Sequence, residues 1–179
     1  MNHKLFLILL LIMGSVKLQA QEALLQEIHL MPWPQEIKTN FSDFNITKNF
    51  TVFIHGDHDQ STRISKAAVR FIRYMTDKTG VFVTEGFPNA RGIDASSASL
   101  QIFIDANADI FMGMDESYTL TVTATGVDIH AKTDVGALHG LSTLLQLIKV
   151  KNETYAFTGV QIKDAPRFVW RGLMMDVGR

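Results

Sequence analysis

Apolar positions along this chain recur with two periods, and the change from one to the other marks the elements. Phe50-Thr51-Val52-Phe53-Ile54 is rich in β-branched and aromatic residues and predicts a strand. After Ser61 or Thr62, either of which suits a helix cap, Ile64, Ala68, Phe71 or Ile72, and Met75 repeat at helical spacing. Arg63, Lys66, Arg70 and Arg73 fall mostly off that stripe, so an amphipathic helix runs to about Thr79, where Gly80 ends it. Val81 to Thr84 predicts a short strand, Phe87 to Ser99 an aperiodic loop, and Leu100 to Asp105 another strand. Tyr118 to Thr123 alternates, with Leu120 and Val122 on one face and threonines on the other. Thr125-Gly126 turns the chain, and Val127 to Ala131 alternates again, which predicts a hairpin. A second helix is expected from a cap at Asp134 to about Lys149, burying Leu138, Leu141, Leu145 and Ile148. Gly136 and Gly140 lower its propensity, and close packing on a sheet is the compensation expected for them.

This order of elements predicts an α+β fold: a mostly antiparallel sheet with two helices on one face. Gly159 to Ile162 leads into a different kind of segment. Asp164-Ala165-Pro166 is a proline-fixed connection, and Leu173-Met174-Met175-Asp176-Val177 is apolar without alternation. Such a run fits a strand buried on both faces, as in a parallel sheet or barrel. Parallel neighbours need crossovers of a dozen or more residues, so this strand is expected to open a second domain, cut short at Arg179.

Composition narrows the function classes. Hydrophobic residues make up 46% of the chain, charged residues 20%, and the net charge is −1, with no basic stripe. Nucleic acid is therefore not an expected partner. Lys4 followed by the apolar run Leu5 to Met13 and the small residue Ala20 reads as a signal peptide over residues 1–20. That run is shorter than the ~20 residues a bilayer span needs, so export without a membrane span is expected, to a periplasmic or secreted destination. The chain has no cysteine, which removes disulfides and lipid-modified cysteine. Asn-x-Ser/Thr sequons stand at Asn40, Asn45, Asn49 and Asn152. His55-Gly56-Asp57-His58-Asp59 concentrates ligand-type residues at no recognised metal spacing and reads as a solvated loop; no metal and no cofactor is expected.

Asp164-Ala165-Pro166-Arg167-Phe168, Arg171-Gly172-Leu173-Met174-Met175-Asp176-Val177 and Arg179 together resemble the opening of the catalytic barrel in glycoside hydrolase family 20, the β-N-acetylhexosaminidases. Glu116-Ser117-Tyr118-Thr119-Leu120-Thr121-Val122 and Gly136 to Leu147 resemble the end of the small domain that precedes that barrel. The resemblance is specific from Glu116 onward and weaker, in the same order, from Leu30 to Asp115. Gly178 departs from it, since the family more often has a small hydroxyl residue there. It implies a small non-catalytic domain over residues 21–163 and a truncated (β/α)8 barrel over 164–179. It implies hydrolysis of terminal N-acetylglucosamine or N-acetylgalactosamine, with the substrate's own acetamido oxygen as nucleophile. An adjacent Asp and Glu orient that amide and protonate the leaving oxygen in the family. The resemblance places both beyond Arg179, so no catalytic residue is expected in this chain.

Asp115-Glu116 imitates that pair but leads straight into a small-domain strand and is set aside as a short-motif coincidence. Arg171 is the one site residue the resemblance carries over, as a ligand for the hydroxyls of the terminal sugar; its five fixed donors suit that work. The other reading pairs it with an acid across the barrel mouth. Arg167 with Asp164 is expected to fix the connection between domains, Asp176 and Arg179 to form a buried pair, and His139 to be a packed or surface residue. The expected partners are carbohydrate and, within one molecule, the missing barrel. A non-catalytic module, folding alone and exposing an apolar Leu173–Val177 patch, is the competing class.

Overall fold

The computed structural model describes residues 28–40, 42–56, 62–106, 109–172 and 174. Its strands are β1 (Glu36–Thr39), β2 (Phe44–Asn45), β3 (Val52–His55), β4 (Leu100–Ala106), β5 (Tyr118–Val122), β6 (Val127–Thr133), β7 (Ile148–Lys151), β8 (Thr154–Phe157) and β9 (Val160–Asp164). Its helices are α1 (Arg63–Thr79) and α2 (Asp134–Gln146). Six strands form one sheet in the order β1-β9-β5-β6-β4-β3, and β2-β8-β7 form a second, small sheet.

The fold is α+β, with both helices packed on the same face of the large sheet. The sheet is mixed. The pairings β1–β9, β9–β5 and β5–β6 are antiparallel, while β6–β4 and β4–β3 are parallel. The expected hairpin is present, with Leu120 opposite Ile129 and Val122 opposite Val127. Helix α1 is the crossover between the parallel strands β3 and β4, which a two-residue turn could not connect.

Alternation places Ile54, Leu100, Ile102, Leu120, Ile129 and Ile162 on the helix side, all fully buried. Ile64, Phe71 and Met75 of α1 and Leu144 of α2 meet them. Full burial of each such side chain contributes roughly 1.5–3 kcal/mol. Among the described residues the opposite face carries no helix. There His55 and His130 stack on either side of the Phe103 ring, with ring centroids 4.0 and 4.2 Å apart. None of the helices among the described residues is long and apolar enough to cross a membrane.

Several local expectations are corrected. Val81 to Thr84 is not a strand: the Val81 amide donates to Thr79 Oγ1 and that of Thr84 to the Lys48 carbonyl, with no continuous ladder. Val81 and Val83 still pack on the core, which explains their apolar character. Helix α2 begins one residue earlier than expected, because Thr133 is the cap and its hydroxyl accepts from the Gly136 amide. Asp134 lies in the first turn, buried, and takes an ion pair from Arg63 at 2.8 Å. The helix stops at Gln146, and Ile148 to Lys151 turns into a strand that pairs with β8. Lys149 and Lys151, on that strand, bind Asp43 at 3.1 and 2.9 Å.

The buried stripe of α2 also shifts. Gly136, Ala137, Gly140, Leu141 and Leu144 face the sheet, while Leu138 and Leu145 are only partly buried. A Cβ on Gly136 would collide with the Ser117 carbonyl oxygen, and one on Gly140 would lie 2.9 Å from Ile129 Cγ2. The two glycines bring the helix backbone onto the sheet, and the residues beside them follow. The apolar run Leu173–Val177 and the pair Asp176–Arg179 lie outside the described residues, Met174 excepted, as do residues 1–27 and Asp57–Ser61.

Candidate functional site

The sequence-predicted site residue Arg171 lies where the chain leaves β9, and the elements around it meet at one end of the sheet. Its guanidinium donates to Glu116 Oε2 at 2.5 Å and to the Phe168 carbonyl at 2.6 Å. The same Glu116 oxygen takes His139 Nε2 at 2.7 Å. That contact requires a proton on Nε2, since a carboxylate only accepts. Residues 116, 139 and 171, far apart in sequence, thus converge on one carboxylate oxygen.

The position of Glu116 follows from its neighbours. Asp115 Oδ1 accepts from the Ser117 amide at 2.9 Å and from its hydroxyl at 2.5 Å, an Asx-type turn. Lys132 binds the other Asp115 oxygen at 2.9 Å, and the Thr133 hydroxyl donates to the Asp115 carbonyl at 2.6 Å. The amino-terminal turn of α2, through Gly136, lies against the Ser117 and Glu116 backbone. These contacts hold the Asp115 carboxyl at a pKa of about 2, with the Ser117 hydroxyl as the largest cause. Burial of Glu116 opposes its ionisation, but hydrogen bonds from His139 and Arg171 outweigh that and lower its pKa. Both acids are therefore anionic at neutral pH and already engaged. Neither is poised as a general acid, which requires a raised pKa.

A cavity of about 380 Å³ opens beside this cluster, lined among others by Trp33, Tyr118, His139, Thr143, Phe168 and Arg171. Tyr118 shares a hydrogen bond with the Thr143 hydroxyl at 2.6 Å, and burial pushes its phenol up to about 12. Asp164 and Arg167 do not pair with each other. The Asp164 carboxylate accepts from the Gln35 amide at 3.1 Å, and Arg167 donates to the Trp33 carbonyl at 3.2 Å. Each ties the segment after β9 to the segment before β1. Among the described residues there is no group of three or more metal-ligating side chains.

Sequence reasoning placed Arg171 in a site but missed Glu116 and His139 as its neighbours. Periodicity carries no such signal, because the contacts join a loop, a helix and a chain exit.

Comparison with known proteins gives the context. A family model described as "beta-acetyl hexosaminidase like" matches residues 30–147, more than half of the chain. The β-hexosaminidase subunit A2 of Dictyostelium discoideum is 28% identical over 99% of this chain and 32% of its own length. The β-hexosaminidase subunit beta of Entamoeba histolytica is 46% identical over 38% of this chain and 12% of its own. Among solved structures, a chitobiase of Flavobacterium johnsoniae superposes with a TM-score of 0.75 at 44% identity, covering 82% of this chain and 22% of that one. The chain thus spans less than a third of the length of these relatives. With the α+β fold and the run of motifs from Glu116 to Leu147, these similarities establish that the chain belongs to the β-acetyl hexosaminidase-like family and corresponds to the amino-terminal portion of glycoside hydrolase family 20 proteins.

Proposed function

We propose that this chain is the amino-terminal part of an exported β-N-acetylhexosaminidase that removes terminal N-acetylglucosamine or N-acetylgalactosamine from glycans by substrate-assisted, retaining hydrolysis. The observation that carries the reading is the family match over residues 30–147, supported by 44% identity to a chitobiase. In this reading residues 1–20 are a signal peptide, residues 21–163 a small scaffold domain, and residues 164–179 the opening of a catalytic barrel.

The scaffold supplies no hydrolytic machinery of its own. Substrate-assisted hydrolysis needs one carboxylate to orient the acetamido group and a protonated one for the leaving oxygen. Asp115 and Glu116 meet neither need, being anionic and committed to Ser117, Lys132, His139 and Arg171. The 179-residue chain by itself is therefore inactive, and activity belongs to a longer product that supplies the acid pair. The test compares both proteins on a chromogenic N-acetylglucosaminide. Turnover by the longer product alone supports the reading. Turnover by the 179-residue chain, or none by a longer product containing an adjacent Asp-Glu pair, sinks it.

Arg171 carries two roles under this reading. The family resemblance makes it a ligand for the terminal sugar's hydroxyls. The other role pairs it with an acid across the barrel mouth; Glu116, which engages it in this chain, belongs to the small domain instead.

A further inference from the structure

We propose that the groove between helix α1 and the Phe87-Pro88 segment is a binding subsite for the acidic sugar residue of an anionic glycan, a uronate or a sulfated hexosamine. The groove has a volume of about 350 Å³ and is lined by Ser65, Lys66, Val69, Arg70, Phe87 and Pro88. That volume lies at the small end of the range for ligand sites, roughly 300–1,000 Å³. The fold holds both walls. On one side, Ile64, Ala67, Ala68 and Phe71 bury the inner face of α1 against the sheet. On the other, Pro88 is buried, and the residue after it, Asn89, is tied to Val52 and Ile54 of β3 through its amide and its side chain. Phe87 stays 57% exposed on that fixed wall.

The chemistry of the lining selects the ligand. Lys66 and Arg70 stand four residues apart on α1, so their side chains leave the helix as neighbours. Both are exposed, and neither has an ion pair among the described residues. The other cations of this helix are engaged. Arg63 pairs with Asp134, Lys78 donates to the Leu145 carbonyl, and the Arg73 guanidinium lies 5.8 Å from the centre of the Tyr74 ring. Among the described residues no acid lines the groove, so its two cations are left for a ligand. A guanidinium is a planar fork that matches two oxygens of a carboxylate or sulfate, and the ammonium beside it adds a second charge. Phe87 supplies an apolar surface for the C–H side of a pyranose ring. An anionic membrane is disfavoured, since it takes clusters of about four to eight cations. The net charge of −1 disfavours nucleic acid. The choice of a glycan over other polyanions rests on the reading that the longer protein acts on glycans.

The test titrates the 179-residue chain by calorimetry at low salt, where screening is weak, with hexasaccharides of chondroitin sulfate, of desulfated chondroitin and of neutral chitin. The two acidic glycans are expected to bind, and the chitin hexamer about tenfold more weakly or worse. Lys66→Gln and Arg70→Gln keep the helix propensity, so both variants fold. Each is expected to weaken chondroitin sulfate binding by about three- to tenfold, the effect of one charge-assisted hydrogen bond at an exposed site. Phe87→Ala, which leaves the charge unchanged, is expected to weaken it by about two- to tenfold. Lys38→Gln, on the exposed edge strand β1, is the control and is expected to leave the affinity unchanged. Equal binding of the chitin hexamer, an equal loss in Lys38→Gln, or unchanged affinity in the Lys66 and Arg70 variants overturns the subsite. Unchanged affinity in Phe87→Ala overturns its assignment to a sugar. Binding to phosphatidylglycerol vesicles and to none of the hexasaccharides overturns it too, and makes the groove a lipid contact. A longer product without hexosaminidase activity sinks the enzyme reading and leaves the titration standing.

Discussion

Gly136 shows how much of this site depends on a single missing atom. Its Cα lies so close to the Ser117 carbonyl that an added Cβ would overlap the oxygen, with Ala131 Cβ 3.1 Å and the Glu116 carbonyl carbon 3.3 Å away. The Ser117 turn and the helix backbone are both fixed by hydrogen bonds, so neither yields cheaply. Gly136→Ala gains about 1 kcal/mol of helix propensity and loses about 3 kcal/mol to overpacking. A net loss of about 2 kcal/mol is expected in urea unfolding. Unchanged stability would mean that α2 can withdraw from the Glu116 turn. Glu116 itself illustrates a limit of sequence reading. Beside Asp115 it copies a catalytic dipeptide, and the flanking strand argues against that role. What it does instead depends on partners 23 and 55 residues away, which its local sequence cannot announce.

At the scale of elements, β3 is the edge strand of the large sheet, and the Asn89 side chain covers it at Ile54. Asn89 Oδ1 accepts from the Ile54 amide at 2.7 Å, and its Nδ2 donates to the Ile54 carbonyl at 3.0 Å, reproducing a ladder step; its own amide bonds the Val52 carbonyl at 3.0 Å. An open edge invites pairing with another chain, and this amide blunts it. Asn89→Ala is expected to cost about 1–3 kcal/mol, the range for unsatisfied buried backbone groups, and to raise the aggregation rate on heating. Asn89→Asp keeps the acceptor and loses the donor, and should fall between the two. The loop from Phe87 to Ser99 was legible as a loop because nothing in it repeats; its service to β3 was not. The end of α2 has the same lesson. Ile148 continues the helical spacing of Leu141 and Leu145, yet Ile148 to Lys151 pairs with β8. Short apolar runs satisfy either period, and the partner strand settles the choice.

At the scale of the whole molecule, carboxylates that join separate elements make the fold sensitive to low pH. Burial disfavours the Asp43 anion, but Lys151, the Gly159 amide and Lys149 outweigh it, so its pKa is lowered. A carboxyl with a lowered folded pKa contributes stability above its unfolded value near 4, and that contribution disappears as pH falls through the folded value. Asp115, held at about 2, acts the same way, discounted for its exposure. The melting temperature should therefore fall between about pH 4 and pH 2. Asp43→Asn should be about 1–2 kcal/mol less stable at pH 7, with the difference shrinking towards pH 2. A constant difference across that range would show that the Asp43 charge contributes nothing. The sequence by itself determined where β3, β4, β5, β6 and both helices lie, because alternation and 3.6-residue repeats record which side of each element is buried. It also narrowed the helix start to Ser61 or Thr62 and gave the family, since caps and motifs are local. Only the tertiary structure decided the parallel pairing of β3, β4 and β6, the small sheet β2-β8-β7, and the meeting of Arg171 with Glu116 and His139. Burial pattern says which face of a strand is inward and nothing about its neighbour or direction. A contact between residues remote in sequence is fixed only when every intervening element has packed.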